Sequence, residues 1–135
     1  MHEPEISRIG DLEFAVLEHL WGHGRGDAKA VHDALGRERG ITLNTVQSTL
    51  KRLHGKGLLH RTKVSHAHVY EPALSRAEFQ KLALRQVIER VSGGAATETI
   101  SAFVDLAEGI GTEQLEELER LVARRIENRR REEDP

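Results

Sequence analysis

The chain has 135 residues, 22 acidic against 20 basic side chains, no cysteine, and an aromatic content limited to one Trp, one Tyr and three Phe. That length holds one ordinary domain, or a small domain with a helical appendage that needs a partner to cover its apolar side. A disulfide framework and a thiolate metal site are excluded, no apolar run approaches the roughly 18 residues of a membrane span, and the scarcity of aromatics counts against binding single strands by stacking. The first ten residues, MHEPEISRIG, lack the pattern of a secretory signal, so a cytoplasmic protein without membrane insertion is expected.

Residues 1–10 are polar and read as extended. Asp11 stands as the N-cap of a first helix in which Leu12, Val16 and Leu20 form a stripe widened by Ala15 and Trp21, and Gly22, Gly24 and Gly26 end it. Asp27 caps a second helix, with Val31, Ala34 and Leu35 apolar and Gly40 as its stop. Thr42 caps a third, whose stripe is Val46, Leu50 and Leu53 and which Gly55 or Gly57 ends. Short helices joined by tight connections describe a helix-turn-helix. After Gly57 the period changes: 58–63 and 67–71 read as strands joined by Val64, Ser65 and His66, with Pro72 closing the second where a missing N–H costs little. A helix-turn-helix followed by a two-stranded hairpin is a winged helix, and the fold class expected is mostly α with a small β-hairpin.

The window 41–70 holds five Lys or Arg, four His and no acid, in a chain that is slightly acidic overall. Such a concentration of positive potential suits a polyanion, and double-stranded DNA is the candidate partner. Opposite the apolar stripe of the third helix stand Asn44, Thr45, Gln47, Ser48, Lys51 and Arg52, with Thr42 at its start. Amides pair with adenine, cationic groups with guanine or phosphate, and hydroxyls with either. Arg61 and Lys63 in the hairpin are candidate phosphate contacts, joined by His66 and His68. The pair His66 and His68 also invites a metal reading, since an i, i+2 spacing puts both on one side of a strand. Two ligands are too few, and the spacing offers no third. His19 and His23 have helical spacing, but Gly22 and Gly24 argue against a helix running through them. No cofactor is expected, and the His/Glu protease motif, phosphate-binding glycine loop and nucleophile elbow of common enzymes are absent.

Ser75 to Glu78 form a capping box, and the domain boundary is placed there, giving a DNA-binding domain at 1–74 and a helical domain at 75–135. Phe79, Leu82, Ala83, Val87 and Val91 trace one apolar face as far as Gly93 and Gly94; Ile100, Phe103, Val104 and Ala107 mark a second helix; Leu115, Leu118, Val122 and Ile126 mark a third that begins at Thr112 and frays over 132–135. Such helices make too thin a layer to close a core alone. Their expected role is pairing with a second copy, with Phe79, Leu82, Val87, Ile100, Phe103, Val104, Leu115, Leu118 and Val122 on the seam. A pure interaction module would explain these helices but not the acid-free window.

Stretches 12–21 (LEFAVLEHLW), 44–59 (NTVQSTLKRLHGKGLL) with Tyr70-Glu71-Pro72, 75–79 (SRAEF), 100–108 (ISAFVDLAE) and 113–121 (EQLEELERL) together resemble the penicillinase-repressor family of winged-helix regulators, the BlaI, MecI and CopY type. The resemblance implies a dimeric repressor that binds a palindromic operator and is released by an inducing signal. In members controlled by a membrane sensor metalloprotease, cleavage falls before a Phe of the middle C-terminal helix, which corresponds here to the Ala102–Phe103 bond; Ala102 departs from the polar residue usual before that Phe. The cysteine cluster of copper-sensing members is absent, which excludes that sensing chemistry.

Overall fold

The computed structural model describes residues 3, 4, 6 and 9–134; the remainder of the N-terminal stretch expected to be extended, and Pro135, lie outside them. Helix α1 (Asp11–His23) follows an extended Gly10, so Asp11 is the first helical residue, not the cap. With Glu13 it puts negative charge at the positive end of the helix dipole. The helix continues through Gly22, and Gly24, at φ 89°, turns the chain away while its N–H returns to the Leu20 carbonyl. Strand β1 (Gly26–Asp27), too short to leave a sequence pattern, comes next, and the Asp27 carboxylate caps α2 (Ala28–Val31) by accepting from the Ala30 N–H at 2.8 Å. A π-helical turn (His32–Gly36) and α3 (Arg37–Arg39) complete this arm, which Gly40 ends in the left-handed region.

Helix α4 (Leu43–Gly55) starts at Thr42, whose Oγ1 accepts from the Thr45 N–H at 3.2 Å. Val46, Leu50 and Leu53 are fully buried, together with Thr49. Thr49 is tolerated inside because its hydroxyl donates to the Thr45 carbonyl at 2.8 Å. Strands β2 (Leu59–Val64) and β3 (Ala67–Pro72) form an antiparallel hairpin with a two-residue turn at Ser65 and His66; Ser65 takes φ 59°, as such turns require. His66 therefore lies in the turn and only His68 in the strand, unlike the same-side pair read from spacing. Among the described residues β1 adds to the far side of β3, giving a three-stranded sheet in the order β1-β3-β2.

Helix α5 (Arg76–Val91) opens with the expected capping box: the Glu78 N–H donates to Ser75 Oγ, and the Ser75 N–H to Glu78 Oε1. The Ser75 N–H and, after it, the Ser75 hydroxyl hold the Glu78 carboxyl below the usual carboxylate range. Phe79 and Leu82 depart from the role expected of them. Phe79 is 6% exposed, its ring 5.2 Å from Trp21 and 6.1 Å from Phe14, and Leu82 and Ala83 pack on the same core. The first turns of α5 thus close the winged head within its own chain, because the aromatic side of α1 is otherwise uncovered. Trp21 donates its indole N–H to the Leu74 carbonyl at 2.9 Å, and Arg76 lies over its ring. Ile6 also enters this core, held by Gln86, which accepts from the Ile6 N–H and donates to the Pro4 carbonyl.

The chain divides into two compact units, Met1–Val87 and Ile88–Pro135, so the head reaches further along the chain than a division at 74 and 75. The second unit contains α6 (Ala96–Ile110) and α7 (Thr112–Glu133), the latter continuing through Glu132 and Glu133 where fraying was expected. Neither helix buries a residue fully. Between them runs an apolar groove of about 740 Å³ walled by Ile100, Phe103, Val104, Leu115, Leu118, Val122 and Ile126. Among the described residues no helix is long and apolar enough to cross a membrane.

Candidate nucleic-acid interface

Burying Val46, Leu50 and Leu53 leaves the other side of α4 no choice but solvent. Asn44, Thr45, Gln47, Ser48, Lys51 and Arg52 are all exposed, as is Thr42. The Thr42 and Thr45 hydroxyls face each other at 3.1 Å and serve the cap, while Arg52 donates to Thr49 Oγ1 at 3.2 Å, which limits where its guanidinium can swing. Lys56, at the end of the same helix, is drawn to Glu13 of α1 at 2.8 Å and staples α4 to the head.

Strand alternation sets the hairpin's contribution. Leu59 and Tyr70 are buried, so Arg61, Lys63 and His68 lie on the face of the hairpin that turns toward α4. Lys63 is the direct cross-strand partner of His68, and Arg61 of Tyr70. Between this face and α4 lies a cleft of about 350 Å³ lined by Gln47, Lys51, His66, His68 and Tyr70, and on its far side by Asp27 and Lys29. The structure therefore brings Gln47, Lys51, His66 and His68 together around one cleft, with Arg61 and Lys63 on its hairpin side. Asn44, Ser48 and Arg52 stand on the exposed α4 surface outside its lining.

Loss of hydration and, after it, the positive charges of Arg61, Lys63, Lys51 and His54 hold the His68 imidazole below its ordinary value near 6.5. His54 and Lys29 were not picked out from sequence. His54 sits half-buried on the last turn of α4, and Lys29 comes from α2, outside the acid-free window, reaching the cleft only because β1 pairs with β3. No periodicity announces a two-residue strand.

Residues 9–124 match the penicillinase repressor family. The chain belongs to that family. As a penicillinase repressor family member it is a DNA-binding transcriptional repressor, not an enzyme. The transcriptional regulator BlaI of Mycobacterium tuberculosis is 29% identical over 120 residues, spanning 88% of this chain and 86% of that one. The penicillinase repressor of Bacillus licheniformis is 24% identical over 101 residues, 75% of this chain and 79% of that one. The solution structure of the DNA-binding domain of the repressor BlaI superposes with a TM-score of 0.50 at 28% identity, over 56% of this chain and 93% of the domain.

Among the described residues no group of three or more His, Asp or Glu is placed to hold an ion. Contrary to the reading of Gly22 as a stop, α1 does run through His19 and His23, whose rings stack at 4.1 Å, with His23 Nδ1 donating to the His19 carbonyl at 2.9 Å. Burial and then the neighbouring His23 push the His19 imidazole below its ordinary value.

Proposed function

We propose that this penicillinase repressor family member recognises a palindromic operator as a homodimer, α4 lying in the major groove with Asn44 and Gln47 on base edges. Lys51, Arg52, Arg61 and Lys63, with the wing residues His66 and His68, hold the phosphates on either side. The observation that carries this reading is the union of an exposed amide-and-hydroxyl face on α4 with a cationic hairpin face across one cleft. Amides discriminate bases; ammonium and guanidinium groups at the edges position the duplex without reading it.

The apolar groove of α6 and α7 supports the dimer, since Ile100 is 63% and Val122 49% exposed, an arrangement that a second copy of the same helices would cover. Val87, 44% exposed, extends the apolar surface of α5 beyond the head's core. Release follows from an inducing signal that acts on this region in the cytoplasm. Cutting the Ala102–Phe103 bond, midway along α6, by a membrane sensor metalloprotease would remove Phe103 and Val104 from the sequence joined to the head.

Two variants test the assignment of roles on a duplex selected by the parent protein from a random-sequence pool. Gln47→Ala should lose about 1 to 3 kcal/mol on that duplex and little on a shuffled one. Lys51→Ala should weaken both alike and reduce the salt slope by about one unit. Mobility-shift titrations at several salt concentrations read both effects, and equal losses on the two duplexes for both variants would sink the assignment.

A further inference from the structure

The connection from α2 to α4 carries a side-chain bond that neither the core nor the DNA-facing surface explains. His32 opens the π-helical turn, and its Nε2 lies 3.0 Å from the carbonyl oxygen of Ile41. A carbonyl can only accept, so Nε2 bears the hydrogen. The Ile41 N–H in turn donates to the Gly36 carbonyl at 3.0 Å. Both backbone polar groups of Ile41 are therefore tied to the same turn, one residue before Thr42 begins α4.

Gly36 shows why the bond is a built feature. Its backbone is ordinary right-handed helix, φ −67° and ψ −38°, which any residue adopts, and glycine in that conformation weakens a helix relative to alanine. A Cβ at this position would lie 2.3 Å from His32 Cδ2 and 2.6 Å from Nε2. The missing side chain makes room for the imidazole and serves no need of its own backbone.

We propose that His32 is a positioning residue for operator recognition: seated over Gly36, its Nε2–H holds the Ile41 carbonyl and fixes where Thr42 starts α4. Val46, Leu50 and Leu53 still anchor α4 to the core when the bond is lost, so the helix remains but its first turn, with Asn44 and Gln47, is held less closely. Sequence-reading contacts demand tight geometry, whereas phosphate contacts through long cationic side chains tolerate a shift. Loss of His32 therefore weakens selective binding more than general binding. This inference rests on α4 being the recognition helix.

The full chain carrying His32→Ala, His32→Gln, Gly36→Ala and the double change His32→Ala with Gly36→Ala is titrated on the selected and shuffled duplexes, with Gln47→Ala alongside and a thermal melt of each variant. His32→Ala and Gly36→Ala should each lose about 3- to 10-fold on the selected duplex, the scale of one hydrogen bond, and less than about two-fold on the shuffled one. His32→Gln, whose amide nitrogen occupies a place similar to Nε2, should recover most of the selectivity. In the double variant Gly36→Ala should add no further loss, because the ring it displaces is gone. Losses equal on both duplexes, additive effects in the double variant, or a folded His32→Gln protein no more selective than His32→Ala would overturn the proposal. If Gln47→Ala loses selectivity and His32→Ala does not, this inference fails alone; if neither does, the recognition reading fails and takes this one with it.

Discussion

His68 stands opposite Lys63 on the ladder and within the field of Arg61, Lys51 and His54, with His66 in the adjoining turn and Asp27 and Lys29 across the cleft. Reduced hydration and those cations favour its neutral form in the free chain. A phosphate brought into the same cleft acts in the opposite sense and raises the imidazole's affinity for a proton. The complex then binds more protons than the free chain, so DNA affinity rises as pH falls through the bound-state value toward the lowered free-state value, and levels off below it. For one such group the slope of log K against pH reaches at most about −1, and His68→Gln should flatten it by that share. Calorimetric titration in two buffers of different ionisation heat measures the proton uptake directly; an uptake unchanged by His68→Gln would contradict the assignment of this wing residue to phosphate.

Helix α5 shows how one amphipathic element divides its work. The residues of its apolar face share a single period, yet Phe79, Leu82 and Ala83 complete the head while Val87 and Val91 are exposed. Phe79→Ala should cost the head roughly 3 kcal/mol or more, as large-to-small core changes do, and leave self-association unaltered. Chemical denaturation and sedimentation on the same samples check this; an unchanged midpoint with a weakened dimer would return Phe79 to the seam. Periodicity told which side of α5 is apolar, but not what covers it, because the cover comes from Phe14 and Trp21 more than fifty residues earlier. Elements with their own punctuation were legible: Thr42 and the glycines bracket α4, Ser75 and Glu78 start α5, and Pro72 ends β3. Those held only by distant pairing were not. Strand β1 exists through its bonds to Val69 and Tyr70, Ile6 enters the core with its N–H on Gln86, and the π turn places His32 within 3.0 Å of the Ile41 carbonyl nine residues on. On the candidate site, the exposed face of α4 was readable because burying three apolar residues decides the opposite side. Lys29 was not, since only the sheet brings it to the cleft.

At the scale of the molecule, the division of labour is between a head with a closed core and helices that bury nothing fully on their own. A head fragment has to run through Val87 to keep Phe79 and Leu82, and alone it should bind one half-site weakly. If two heads are joined as proposed through α6 and α7, the second binding event becomes intramolecular, which should raise apparent affinity by about 10²- to 10⁴-fold without a new base contact. The half-sites should form an inverted repeat spaced by turns of about 10 to 10.5 base pairs, so that both present the same face of the duplex. Leu118 lines the groove, and Leu118→Glu puts a charge where the second copy would pack. Titration of the parent and Leu118→Glu proteins on paired and single half-sites, with sedimentation of the same samples, tests pairing through these helices. The expected result is a monomeric variant with unchanged affinity for a single half-site and no gain on the paired one beyond a statistical factor; a variant that stays dimeric, or a monomer that binds the paired operator as tightly as the parent, would refute pairing through α6 and α7 as the source of operator affinity.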